Sequence, residues 1–521
     1  MEITCQSPPR PPQQLQPDSS NSGFSELEAR LDPKLAELVK EIKDYQLTHG
    51  NLLKWVRYES STQAPAAGTS VSITPTKFHR RCFDQAWGLQ ELMSELYIRA
   101  AADEDWLGSV FKPLLAQDPL LGPLWDVHLK VKMAGTVQEI CCGIFRTDYM
   151  LHANGEDVLL KQVEINHIAV AGICHASNVS AMHRHLDRIQ DSNNQDGHIS
   201  KLPLKNESIL NVVSMLGEAH RLYSPTIPRQ QPACILMIVQ PYNFNIADER
   251  PIEYSLWDKG IPCFRCIWNS VLTQTTLADD RTLLFRPSIC SSEFEVSVIY
   301  FRAGFETHEY DDAGKATRLR LEVSRAIKCP DVLTHLTTFK IVQQALTAPE
   351  IVKKFLSSRC EDIKRVLETF MPMHLLDSSN EGLEMRRIAK NPNDAVKYVL
   401  KPNLEGGGHN IYRKDIPQFL ANVPEDIWHN YILMRLIEPP ATSGTLMIGD
   451  GVYEGEVVSE LGIFATVIWR KQAARESHHT TTLEILMNKA AGWSFKSKPR
   501  PVDEMSVAKG YGCFDSPELV D

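Results

Sequence analysis

Three short segments carry residues whose types and spacing suit chemistry on phosphates and carboxylates. The first is Tyr398-Val399-Leu400-Lys401-Pro402-Asn403-Leu404-Glu405-Gly406-Gly407-Gly408-His409-Asn410-Ile411-Tyr412. An apolar strand ends in a lysine, and a carboxylate and three glycines follow. Consecutive glycines let backbone N–H groups approach a phosphate closely because no Cβ intervenes. Lys401 can neutralise phosphate charge, and Glu405 can hold a Mg²⁺ that bridges phosphates. A flexible surface loop between two strands is the competing reading. Neither a Walker A loop nor a Gly-x-Gly-x-x-Gly turn opening a helix occurs.

The second segment, Leu160-Lys161-Gln162-Val163-Glu164-Ile165-Asn166-His167-Ile168, alternates with period two. Gln162, Glu164 and Asn166 therefore share one face of a strand. Alternate positions lie roughly 6.5–7 Å apart, so a carboxylate and an amide oxygen can reach one hard cation. Taken alone, the pattern is read first as a solvated polar face. The third, Val298-Ile299-Tyr300-Phe301-Arg302-Ala303-Gly304-Phe305, ends a strand in an arginine and a glycine turn. Its guanidinium suits bidentate recognition of a carboxylate, or else a plain ion pair. Arg146 invites the same two readings, because Asp148 stands two residues on and can pair with it.

Elements that must position these residues are legible around them. Residues 1–23, rich in Pro, Gln and Ser, predict a disordered tail. Asp32-Pro33 reads as a helix cap with proline at the first position; Leu35, Leu38, Val39, Ile42 and Tyr45 follow at helical spacing, and Gly50 closes the segment. A second amphipathic helix is predicted over 86–102. Strands are predicted over 158–168, 234–240, 296–301, 397–401, 431–437 and 457–464, with a helix over 316–327. Asp450-Gly451 predicts a hairpin before the last strand. A proline-punctuated linker over 224–232 is the expected domain boundary. The alternation is that of an α/β protein.

Composition narrows the function classes. The chain has 521 residues, 43% of them hydrophobic and 23% charged, which is a globular balance too long for one ordinary core. A net charge of −10 argues against a broad nucleic-acid surface, while leaving room for a local cationic pocket. No apolar run approaches the ~20 residues of a membrane helix, so no membrane partner is expected. Nothing near the N-terminus resembles a secretory signal, and reduced thiols in a cytoplasmic setting are expected. Cys263 and Cys266 lie in an apolar stretch with no second pair at metal spacing, which favours packing. His183 and His185 flank Arg184 in a predicted helix, where i and i+2 do not face one ligand.

In order along the chain stand Phe145-Arg146-Thr147-Asp148-Tyr149-Met150, Gln162-Val163-Glu164-Ile165-Asn166, Val298 through Gly304, Ala326-Ile327-Lys328-Cys329-Pro330-Asp331, Val399 through Tyr412, Ser459-Glu460-Leu461-Gly462-Ile463-Phe464 and Leu486-Met487-Asn488-Lys489. This series resembles the eukaryotic glutathione synthetases, from about residue 24 to the C-terminus. The resemblance implies an α/β ATP-grasp architecture with helical N-terminal elements and an inserted three-layer α/β substrate-binding domain. The implied divisions are 24–230 for the N-terminal helices and first core part, 231–338 for the inserted domain, and 339–521 for the nucleotide part and lid.

It further implies a ligase, usually a homodimer, that uses ATP and two Mg²⁺ ions to join γ-glutamylcysteine to glycine through an acyl phosphate. Lys340, Lys401 and Arg302 would be catalytic. Metal would fall to Glu164, Asn166 and Glu405. ATP would meet Glu164, Lys340, Lys401, Gly406, Gly407, Gly408, Asn410, Tyr412, Met434, Ile437, Glu460, Lys498 and Glu504. Substrate would meet Arg146, Asn243, Asn245, Glu249, Arg302, Phe305, Lys496, Val507 and Ala508.

Departures from the family pattern cluster on the substrate side. Ala169 and Ala171 replace a Ser-x-Ser pair. The family's Glu-Arg-Asn reads Asn243-Phe244-Asn245, and its following glutamine is Glu249. Phe305 replaces a tyrosine, Lys496 an arginine, and Met505-Ser506 a Gly-Gly. Two alternatives therefore stand beside glutathione synthesis: the same chemistry with a different dipeptide or amine, and a nucleotide-binding paralogue of weak activity. Residues 477–482 replace a shorter family connection without a physical account.

Overall fold

The computed structural model describes residues 31–54, 66–191, 203–224, 231–356, 360–403, 409–449, 451–472 and 482–521. The expected tail over 1–23, most of the 224–232 linker, Asp450 and residues 477–481 lie outside them. So do Glu405 and the Gly406–Gly408 loop.

The capped helix forms as its sequence dictates. It runs Pro33–His49, and the Asp32 carboxylate accepts hydrogen bonds from the N–H groups of Lys34 (2.9 Å) and Leu35 (3.4 Å). Gly50 ends it in the left-handed region at φ 68°. Val39 and Ile42 are the buried stripe. The second helix starts earlier than predicted, spanning Arg80–Ala102. Among the described residues, no helix is long and apolar enough to cross a membrane.

A mixed sheet of thirteen described strands organises the molecule. At its centre lies the long strand Gly451–Gln472, which contains the predicted 457–464 segment. It pairs antiparallel with Thr482–Pro499 on one side and Ile140–Asn154 on the other. The predicted hairpin leads into it, with Ile448 opposite Gly451. Ile140–Asn154 turns through Gly155 (φ 65°) into Asp157–Asn166. Its other end meets Ile327–Cys329 in parallel, with Lys328 opposite Cys141.

Parallel strands extend the sheet from there: Phe294–Phe301, Ala233–Val239 and Cys263–Ile267. Phe294–Phe301 is buried at every position, as a strand covered on both faces must be. Cys234, Leu236 and Ile238 enter one core cluster; Ile235, Met237 and Val239 enter the other. Helices Ser208–Leu222 and Arg250–Asp258 cover the second face, and helix Asp312–Val323 helps cover the first. Cys263 and Cys266 are buried free thiols in this packing. Burial pushes both well up, and no metal-binding group of three or more His, Cys, Asp or Glu occurs among the described residues.

The helix expected over 316–327 instead spans Asp312–Val323, and Ile327–Cys329 pairs with Val298–Tyr300 as a strand. Sheet pairing overrides the helical spacing there. A separate four-stranded antiparallel sheet holds Met373–Leu375, Tyr431–Arg435, Tyr398–Pro402 and Ile411–Tyr412. It carries the predicted Lys401 and Met434 strands side by side, with Val399 opposite Met434.

Candidate active site

One cavity of about 1180 Å³ lies between the two sheets and gathers residues from nearly every predicted segment. At one end, strand Asp157–Asn166 presents Glu164 and Asn166, and the second sheet presents Lys401. Glu164 Oε2 lies 3.1 Å from Lys340 Nζ. Lys340 sits behind this carboxylate and does not itself line the cavity. Burial opposes the charge on Glu164, but the Lys340 and Lys401 ammonium groups hold its carboxyl far below the usual range. Lys401 Nζ donates to the Val163 carbonyl at 2.8 Å. Burial lowers it to about 8, partly offset by Glu164.

The Asn166 amide donates to Asp148 Oδ2 at 3.0 Å and to Glu164 Oε1 at 3.3 Å. One carboxylate and one amide side by side form an oxygen donor set that fits a hard cation such as Mg²⁺.

Beside the lysines lies an apolar slot. Val399 and Met434 are buried there, and Tyr412 and Ile437 pack on the same cluster. The Tyr412 hydroxyl donates to Glu504 Oε2 at 3.2 Å and accepts from the Asn410 amide at 3.3 Å. Lys498 hydrogen-bonds the Val502 carbonyl, and burial lowers its ammonium. Glu460 and Lys496 face each other across the Gly451–Gln472 and Thr482–Pro499 strands, joined by an ion pair. Burial pushes the Glu460 carboxyl up, against the pull of Lys496.

The guanidinium groups of Arg146, opposite Asn166 in the strand pair, and of Arg302, just after Phe294–Phe301, are each already engaged. Arg146 binds both oxygens of Asp148 (2.7 and 2.8 Å) and the Ala171 carbonyl (2.8 Å). The ion-pair reading of its sequence is thus realised in the structure. Arg302 contacts Glu249 Oε1 and Asp248 Oδ2, each at 3.2 Å, and the Val170 carbonyl. The turn after it depends on Gly304, at φ 82°, where a Cβ would stand 2.6 Å from the Trp268 ring. The Phe305 N–H donates to Glu309 Oε2 at 3.0 Å.

Asn243, Asn245, Phe305, Val507 and Ala508 line the cavity with these groups, as do Ala169 and Ala171. Ala169 takes the left-handed conformation, φ 48°.

Sequence reasoning missed several participants. Asp248 accepts from Arg302 and from the N–H groups of Gly172 (2.9 Å) and Cys174 (2.8 Å). Arg265 NH2 lies 2.8 Å from Glu249 Oε2. His175, stacked on Phe514, places its ring nitrogens 2.6 Å from Asn51 Oδ1 and 3.0 Å from Asn245 Oδ1. None belongs to a spaced motif. A carboxylate next to Glu249 was the one available signal.

Fold and cavity together define a mixed α/β protein whose cavity is lined by buried lysine, arginine and carboxylate side chains. The chain belongs to the eukaryotic glutathione synthetase family: the model described as "Eukaryotic glutathione synthase, ATP binding domain" matches residues 32–519. Among relatives, it is 30% identical to the glutathione synthetase of Xenopus laevis, over 94% of this chain and 98% of that one. It is 28% identical to the glutathione synthetase large chain of Schizosaccharomyces pombe, over 95% and 99%. In structure it is similar to a glutathione synthetase-like effector of Globodera pallida in apo form. That match has a TM-score of 0.68 at 21% identity and covers 94% of this chain and 98% of that one.

Proposed function

We propose that the chain is an ATP-dependent carbon–nitrogen ligase of ATP-grasp architecture that joins γ-glutamylcysteine to glycine. The observation that carries this reading is the convergence, in one cavity, of lysines around Glu164, an adjoining apolar slot and two engaged arginines. In this reading 231–338 is the donor-binding domain, 339–521 holds the nucleotide, and the protein is a cytoplasmic homodimer.

The γ-phosphoryl of ATP passes to the cysteinyl carboxylate; a carboxylate–phosphorus bond forms as the bond to ADP breaks. Glycine's amine then attacks the acyl carbon, phosphate leaves, and the amine loses a proton. Lys401 and Lys340 stabilise the phosphoryl charge, and Lys498 adds a third ammonium. The slot of Met434, Ile437 and Tyr412 receives the base. Two Mg²⁺ ions, held by Glu164, Asn166 and Glu405, would shield the phosphates when bound. Arg146 and Arg302 orient the donor, so that positioning supplies much of the rate.

A second reading, the same chemistry with another donor or amine, draws on two observations: Lys496 is engaged by Glu460, and Ala169 and Ala171 offer no hydroxyl. Phosphate release from ATP by the purified chain separates the readings. Release that needs both γ-glutamylcysteine and glycine is the expected result. Release only with another donor or amine supports the second reading. Measurable ATP binding without turnover on any pair would overturn both.

A further inference from the structure

Lys340 opens the short helix Lys340–Ala345, and the residue before it, Phe339, supplies no side-chain cap. The N–H groups of a first helical turn need partners from elsewhere, most of all in the interior. For Ile341 that partner comes from 62 positions along the chain: Asn403 Oδ1 accepts from its N–H at 2.9 Å. Asn403 directly follows strand Tyr398–Pro402, which carries Lys401. Its Nδ2 donates to the Asn430 carbonyl at 3.2 Å, so both ends of the amide are fixed. A second contact ties the turn before Lys340 to another strand. Thr337 Oγ1 lies 3.0 Å from Nδ1 of His167, the residue after strand Asp157–Asn166. The Thr337 hydroxyl gives its own proton to the Thr334 carbonyl at 2.7 Å, so the imidazole is the donor in that contact. We propose that Asn403 and the Thr337–His167 pair are positioning groups for Lys340, pinning its backbone to the Lys401 strand and to the Glu164 strand.

The charges explain why pinning is needed. Lys340 and Lys401 are both buried and both bear on Glu164. Two ammonium groups in a low dielectric repel each other, and a lysine stem is flexible enough to relieve that repulsion by swinging apart. Backbone ties to both neighbouring strands remove much of that freedom. Asn403, Thr337 and His167 are almost wholly buried, and none of them lines the cavity. They are therefore out of reach of a ligand and act on it through Lys340. Apolar side chains would fill such positions without the cost of burying polar groups, so the polar contacts themselves are what these residues contribute.

This inference rests on the nucleotide-binding reading of the cavity, and its test separates the two. The probe is a non-hydrolysable ATP analogue with Mg²⁺, titrated calorimetrically into the full chain. Phosphate release with γ-glutamylcysteine and glycine is measured beside it. Asn403→Ala should weaken analogue binding about fivefold, the value of one hydrogen bond, and lower kcat about tenfold. KM for the other two substrates should stay within about twofold, because neither meets Lys340. Thr337→Val should act in the same direction, and Thr337→Ser, which keeps the hydroxyl, should restore most of the loss. Since Asn403 acts through Lys340, adding Asn403→Ala to Lys340→Met should cost less than about twofold more in analogue affinity. The full further loss in that background would overturn the inference. So would an Asn403→Ala protein with a lowered Tm but unchanged analogue affinity and kcat. No analogue binding by the starting protein would overturn the nucleotide reading and this inference together. Analogue binding without phosphate release would defeat the ligase reading alone, and the titrations would still decide this one.

Discussion

The two ends of the cavity hold their cations in opposite ways. At the lysine end, Lys340 and Lys401 both bear on the carboxylate of Glu164, and Lys401 Nζ hydrogen-bonds a neutral carbonyl. Burial already draws the Lys401 proton toward release there. At the arginine end, Arg302 and Arg265 are matched by Asp248 and Glu249. The first arrangement is costly alone and is relieved by an anionic ligand; the second is satisfied before any ligand arrives. Sites for polyanions are built on such buried cations, whereas sites that select shape are built on groups already fixed in place.

Replacing one cation at each end breaks this contrast most directly. Lys401→Met should cut phosphate release by roughly 10²–10³-fold, measured at steady state. The same change should raise ligand-free stability by about 1–3 kcal/mol near pH 7, read by denaturant unfolding, because it removes a buried charge. The pH dependence follows from the same group. Folded Lys401 releases its proton near pH 8, against about 10.4 in an unfolded chain. Between these values the unfolded state holds more protons, so Lys401 adds stability as pH rises while phosphate affinity falls. In Lys401→Met that contribution to the rise should vanish.

At the arginine end the sign reverses. Arg302→Met should lower stability by about 3–5 kcal/mol, since it takes a shared buried guanidinium from Asp248 and Glu249, leaving Glu249 to Arg265 and Asp248 to backbone N–H donors. An unfolding curve unchanged by that substitution would end the contrast. The smallest effect belongs to Ala169→Gly. Its positive φ disfavours a side chain, and glycine should stabilise by about 0.5–1 kcal/mol net of its chain entropy, visible as a small rise in Tm.

Much of the scaffold was legible because burial leaves a mark on sequence. Ala233–Val239 is an unbroken apolar run, and Phe294–Phe301 is apolar apart from Glu295 and Ser297, because helices cover both faces. Asp32 announced its helix through the oxygen that caps it. The strands Ile140–Asn154 and Thr482–Pro499 escaped notice. Each mixes buried apolar positions with polar ones such as Arg146 and Lys496, which face the cavity, so neither shows a clean period. Their partners are also remote: Met150 pairs with Glu460.

Within the site, the motif residues converge on one cavity, but what they touch was not readable. Arg146 and Asp148 lie two apart on one strand face, so their pairing was foreseeable. Arg265, Asp248 and Glu249 meet only because separate strands and a short turn end at the same place.

Asp248 has a consequence for how far a single substitution would reach. Its carboxylate serves Arg302 and also caps the start of the Ile173–Asp191 helix through Gly172 and Cys174. Asn243 and Glu249 line the cavity and hydrogen-bond each other. Position 248 answers to that helix as well as to Arg302. A substitution at 248 would therefore loosen the Arg302 guanidinium and the start of that helix together.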